Sequence, residues 1–196
     1  MRVAITGFEP FKGFPVNPSG ALAESLEVDG HEFVRSVLPV DFAKVRSSYP
    51  AWLAEQCPDA ILNLGLSAKP GIVSPERLAV RFGVEPKPGE DQARWHELDG
   101  EPALETRVDT ETLAESMRAA GVPAASSYHA GTYLCNFVYY QSLNFVAASR
   151  RALFVHVPFD TESAVSLSRV PEHRVPSLDG VRLRVAVALA LEALTR

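Results

Sequence analysis

A chain of 196 residues with 46% hydrophobic and 22% charged side chains is long enough for one domain with a substantial core and has ordinary globular composition. Its formal net charge of -5 argues against nucleic acid or an anionic membrane surface as partner and favours a small or neutral substrate. The opening Met1-Arg-Val-Ala-Ile-Thr-Gly7 lacks the pattern of a signal peptide, and no apolar stretch approaches a membrane span. Only two cysteines occur, Cys57 and Cys135, which is no disulfide framework; a cytoplasmic location is expected, where a bridge between them is disfavoured.

Short runs rich in Val, Ile, Leu and Phe predict strands over 2–6, 31–38, 60–64, 78–84, 124–127 and 152–157. Helices are predicted between them: 18–26 after Asn17 as N-cap, 41–56 capped by Asp41 and stopping before Pro58, and 109–120 ending at Gly121. Two more follow, 133–149, apolar on several sides, and 178–194, beginning near Asp179-Gly180. Strands alternating with helices give an α/β class with a largely parallel or mixed sheet sandwiched by helices. The stretch 84–102 breaks that rhythm with prolines, glycines and acids, and is expected to be a long surface excursion, either a lid over a substrate or disordered.

In the run 127–140 a Gly-containing turn opens into what reads as the start of a helix, and Cys135 sits there. The positive end of a helix dipole favours thiolate, and cysteines so placed can have pKa values of roughly 3.5 to 7.5. Taken alone, a cysteine near a helix start is more often a small buried hydrophobe. Gly131 lets the backbone approach closely, and free N–H groups of the first turn are suited to receive an oxyanion. His156 is the one polar residue of Leu153-Phe-Val-His-Val-Pro-Phe159, near the C-terminal end of a strand, the edge along which open α/β sheets build their sites. Its alternative is a core histidine satisfied by a backbone carbonyl. Glu76, just before a predicted strand, offers a carboxylate to orient the imidazole, although alone it reads more readily as a solvated loop acid or a helix-dipole partner. Three phenylalanines, Phe8, Phe11 and Phe14, follow the first strand in a Gly- and Pro-rich loop, which suggests an apolar pocket beside the site. His31, His96, His129 and His173 are scattered without ligand spacing, so no metal is expected.

Gly7-Phe-Glu-Pro-Phe11, Asn17-Pro-Ser19, Leu38-Pro-Val40, Ser74-Pro-Glu-Arg-Leu-Ala-Val80, Ala130-Gly-Thr-Tyr-Leu-Cys-Asn136 and Phe154-Val-His-Val-Pro158, in that order, resemble pyroglutamyl peptidase I, also called pyrrolidone-carboxylate peptidase. The resemblance spans most of the chain. It implies a cytoplasmic thiol peptidase built as a single-domain three-layer α/β/α sandwich over residues 1–196, a homodimer or homotetramer, that removes N-terminal pyroglutamate from peptides without a cofactor. By the family pattern Cys135 attacks, His156 moves the proton and Glu76 orients the ring. Phe8, Phe11, Tyr133 and Asn17, with backbone near Leu66, would bind the lactam. The chain departs from the family around these loops. No arginine lies between Gly65 and Val73, Arg81 stands where asparagine is usual, Lys12 replaces a glycine, and the arginine expected to assist the oxyanion has no counterpart unless Arg81 or Lys87 serves. Losing one oxyanion donor costs about 10² to 10³ in rate. The alternative is therefore a divergent member that binds capped peptides or lactams with little turnover, or an amidase of altered specificity.

Overall fold

The computed structural model describes residues 1–11, 14–68, 71–85, 94–149, 151–167 and 175–196, with 85 and 94–97 described by their backbone. Along the chain come β1 (Arg2–Phe8), α1 (Pro18–Ser25), β2 (Glu32–Leu38), α2 (Phe42–Gln56), β3 (Ala60–Leu66), β4 (Ser74–Glu76), β5 (Leu78–Val80), β6 (Phe82–Glu85), β7 (Arg94–Glu97) and β8 (Ala103–Glu105). After them come α3 (Thr110–Ala119), α4 (Leu134–Phe145), β9 (Ala152–Val157), β10 (Phe159–Asp160), α5 (Thr161–Leu167), β11 (Ser177–Leu178) and α6 (Gly180–Thr195).

Near-continuous apolar runs make β1, β3 and β9 strands covered on both faces. Successive side chains alternate between two cores. Val3 and Ile5, Leu62 and Leu64, and Leu153, Val155 and Val157 face one side, packed under α1, α3 and α6 through Leu22, Met117 and Leu191. Ala4 and Phe8, Ile61, and Ala152 and Phe154 face the other, under α2 and α4 through Phe42, Tyr49, Phe137 and Leu143. The result is the expected three-layer α/β/α sandwich. Strand order is β2-β1-β3-β9-β4. The first four are parallel and β4 runs antiparallel to β9.

One polar cluster interrupts the second core. Asn63 Nδ2 donates to Thr6 Oγ1 at 2.7 Å and to the Tyr49 hydroxyl at 3.0 Å, and Ser142 Oγ lies 2.7 Å from the same hydroxyl and 2.8 Å from Asn63 Oδ1. Burial pushes the Tyr49 phenol up to about 12, despite the bonds to Ser142 and Asn63 that act the other way, so it stays a donor. The cluster joins the middle of the sheet to both covering helices.

Four expectations change. The predicted strand 78–84 divides at Arg81 into β5, which pairs with β8, and β6, which pairs with β7. The excursion after Val84 is therefore partly a hairpin, with Phe82 opposite Glu97; residues 86–93, and with them Lys87, lie outside the described residues, as does Lys12. Residues 124–127 form two isolated bridges, Val73 to Ala124 and Glu76 to Ser127, along the outer edge of β4. The helix predicted to reach 149 ends at Phe145, because the next amides turn to carbonyls three residues back, Ala147 to Asn144 and Ser149 to Val146.

Candidate active site

His156 sits one residue from the end of β9, level with Gly65 of β3 on one side and Ser74 of β4 on the other. In an antiparallel pair the diagonal neighbour lies on the same face within reach of a long side chain. Glu76, opposite Phe154, is that neighbour, and its Oε1 lies 2.6 Å from His156 Nδ1. Both side chains are enclosed, 3% exposed for Glu76 and 14% for His156. Among the described residues, Glu76 Oε2 has no hydrogen-bond partner, so the imidazole is the carboxylate's one polar contact there. With Nδ1 taken, Nε2 is the nitrogen left for the Cys135 thiol. Burial alone would lower the His156 pKa, but hydrogen bonds to Cys135 and to Glu76, with the charges on both, outweigh it and raise it from 6.5 to about 10. The ring is an imidazolium at neutral pH.

Cys135 is the second residue of α4. Helices α1, α2, α3 and α6 are capped by the side chains of Asn17, Asp41, Asp109 and Asp179, whereas Tyr133 at the N-cap of α4 makes no such bond. Among the described residues, the first turn around the thiol thus lacks an N-cap side chain as acceptor for its amides, the arrangement that suits a developing oxyanion. Gly131, at φ +81, provides the left-handed turn into the helix, and its N–H donates to His129 Nδ1 at 2.9 Å. Gly65 was not singled out from the sequence. A Cβ there would stand 2.6 Å from Phe154 Cζ and 3.3 Å from Cys135 Sγ, so the thiol reaches the sheet over a position with no side chain. Its signal was present in Leu64-Gly65-Leu66, a glycine inside a strand pattern.

Beside the thiol is a cavity of about 90 Å³ lined by Phe8, Phe11, Asn17, Val40, Leu66, Tyr133, Leu134 and Cys135. That is far below the roughly 300–1,000 Å³ of sites for drug-sized ligands and suits one small ring. All five residues expected to bind substrate lie on its wall, and Val40 and Leu134, which the sequence reading did not assign, complete it. Asn17 also holds the wall together. Its Oδ1 accepts from Ser19 N and Oγ at 3.2 and 2.8 Å, and its Nδ2 donates to Glu9 O at 3.0 Å. Tyr133 packs edge-on against Phe42, ring centroids 5.4 Å apart, and remains 39% exposed at the mouth. A larger cleft of about 820 Å³ between α1, α5 and α6 contains none of Cys135, His156 and Glu76. Arg81 is not on the small cavity's wall; its Nη1 donates to Gly100 O at 3.3 Å, and its charge acts on Tyr140.

A family model described as pyroglutamyl peptidase matches residues 1–196. The chain belongs to the pyroglutamyl peptidase family. It is 32% identical to the pyrrolidone-carboxylate peptidase of Thermococcus kodakarensis over 100% of this chain and 98% of that one. With the enzyme of that name from Lacticaseibacillus paracasei the figures are 31%, 96% and 91%. The solved pyrrolidone carboxyl peptidase from Thermococcus litoralis superposes with a TM-score of 0.85 at 29% identity, covering 99% of this chain and 93% of that one. A mutant pyrrolidone carboxyl peptidase from Pyrococcus furiosus gives 0.86 at 28%, covering 100% and 98%. Among the described residues of this family member, no group of three or more His, Cys, Asp or Glu is placed to hold a metal, and no helix is long and apolar enough to cross a membrane.

Proposed function

We propose that the chain is a cysteine exopeptidase that removes an N-terminal pyroglutamyl residue from peptides, with Cys135 as nucleophile, His156 as acid and base, and Glu76 as the group that orients the imidazole. The observation that carries this is the line Glu76–His156–Cys135 ending at an apolar cavity of about 90 Å³. Pyroglutamate is a neutral five-membered lactam without a free α-amine, so it asks for apolar walls and few hydrogen bonds, which Phe8, Phe11, Val40 and Leu134 provide.

A histidine held protonated at neutral pH is the charge partner of a thiolate. The sulfur adds to the pyroglutamyl carbonyl, and the first-turn amides of α4 receive the oxyanion. As the C–N bond breaks, the imidazolium gives its proton to the leaving amine. The neutral imidazole then takes a proton from water, which attacks the thioester, releases pyroglutamate and restores the thiolate–imidazolium pair. Glu76 holds Nδ1 throughout, fixing the ring's orientation. Arg81 donates to Gly100 O in the 98–101 turn and Lys87 lies outside the described residues, so this mechanism places the oxyanion on the backbone donors of α4.

Residues 1–196 act in this proposal as one peptidase domain, without a cofactor, in the cytoplasm as a homodimer or homotetramer; both cysteines are free, in keeping with a reducing compartment. Turnover of a pyroglutamyl chromogenic amide tests the activity. The expected result is hydrolysis that disappears in Cys135→Ala, with unchanged folding, and on alkylation of the peptide bearing Cys135. Binding without product, or full activity in Cys135→Ala, contradicts it.

A further inference from the structure

Tyr139 follows Cys135 by four residues on α4, so the two side chains leave the helix on one face, about 6 Å apart along its axis. Its ring is fully buried, 5.8 Å from that of Phe154, which is 4.8 Å from the His156 ring. Its hydroxyl donates to the backbone carbonyl of Glu76 at 2.9 Å. One side chain of the nucleophile's helix thus reaches the strand that carries the acid by a hydrogen bond, and the strand that carries the imidazole through the Phe154 backbone and ring, with Thr106 also bonded to the hydroxyl.

This contact lies at the end of β4, a three-residue strand paired with β9 on one side and bridged to Ser127 on the other, and it ties that end of the strand to α4. Helix α4 is stiff over one turn, so holding the hydroxyl on the Glu76 carbonyl also sets how far Cys135 stands from His156. We propose that Tyr139 is a positioning residue for the thiol–imidazole pair, acting through the backbone of Glu76 without touching substrate. The proposal rests on the roles assigned above to Cys135, His156 and Glu76. Burial pushes the Tyr139 phenol well above its ordinary range, so the donor stays protonated wherever the pair titrates.

The next residue supplies the control. Tyr140 also donates its hydroxyl to a carbonyl, that of Glu101 at 2.6 Å, but on the turn beyond β7 and away from Glu76 and His156. Tyr139→Phe removes the bond to Glu76 O together with the hydroxyl's interactions with Thr106 and the Phe154 backbone, Tyr140→Phe removes the bonds to Glu101 O and, at 3.5 Å, Asp99 O, and both keep the ring. Three quantities are measured for each: kcat and KM on a pyroglutamyl anilide, the pH profile of iodoacetamide alkylation read on the peptide bearing Cys135, and Tm. Tyr139→Phe is expected to lower kcat about three- to thirtyfold with KM unchanged, since small misplacements of reacting groups are costly. It also moves the midpoint of the alkylation profile by about half a pH unit or more, because the thiol and imidazole no longer interact equally. Tyr140→Phe loses Tm alone. A wild-type alkylation profile in Tyr139→Phe overturns the proposal, whether or not kcat falls, because a loss that leaves the pair untouched is structural. Turnover surviving in Cys135→Ala would instead overturn the catalytic assignment.

Discussion

At Gly65 the thiol, the ring beneath the imidazole and the end of β3 meet over a single missing side chain. A methyl group there collides with Phe154 Cζ at 2.6 Å and presses on Cys135 Sγ at 3.3 Å, and Phe154 is packed in the core with no room to retreat. Gly65→Ala is therefore expected to destabilise the fold by about 1–3 kcal/mol, the usual range for overpacking. It should also lower kcat at least about tenfold by moving the thiol and the His156 ring apart. Thermal melts and steady-state kinetics check both, and wild-type kcat with a lowered Tm would detach Gly65 from the chemistry. Cys135 and His156 were legible because each is a polar or reactive group in an apolar run at the end of an element. Glu76 was not legible from its surroundings, since an acid beside a proline in a loop reads as solvated. Its burial depends on β4 folding antiparallel against β9, a long-range event with no local signature. The sequence could offer it as a candidate only by its place just before a predicted strand, and the family resemblance raised that reading above the solvated one.

Elements around the site are joined by backbone bonds that the sequence does not announce. Asn136, next to the nucleophile, accepts from Val80 N at 2.8 Å and donates to Val80 O and Phe82 O at 3.0 and 2.8 Å, and Val84 N donates to Thr132 O at 2.5 Å. The hairpin of β6 and β7 is thereby fastened to the start of α4. Asn136→Ala removes these three bonds to partly buried backbone groups and is expected to cost about 1–3 kcal/mol. Amide exchange over 80–84 should speed up in the variant; unchanged exchange would mean that the hairpin stands by its pairing alone. The helices were legible through caps such as Asn17, Asp41 and Asp109. Strand β7 was not, because Arg94-Trp-His-Glu97 is too polar and too short to read as a strand. Residues 124–127 had strand composition but reach the sheet through two bridges, because β4, along whose edge they lie, is three residues long.

For the whole molecule, the layered α/β architecture was legible because apolar runs separated by capped helices admit few other arrangements. Its most direct global consequence is a pH dependence. His156 has a folded pKa near 10 against an ordinary 6.5. Folding favours its protonated form, and that contribution is complete below about pH 6.5 and is lost as pH rises through 10. Wild-type Tm should therefore fall more steeply between pH 7 and 10 than that of Glu76→Gln, which lacks the carboxylate's part of the stabilisation. Parallel curves would show that the Glu76 carboxylate does not hold the imidazolium. The central claim, a pyroglutamyl group carried on Cys135, is tested most directly by quenching turnover in acid and mapping the protein by mass spectrometry. The account predicts one pyroglutamyl adduct on the peptide bearing Cys135, absent in Cys135→Ala; turnover in which that peptide stays unmodified and still open to alkylation would contradict it.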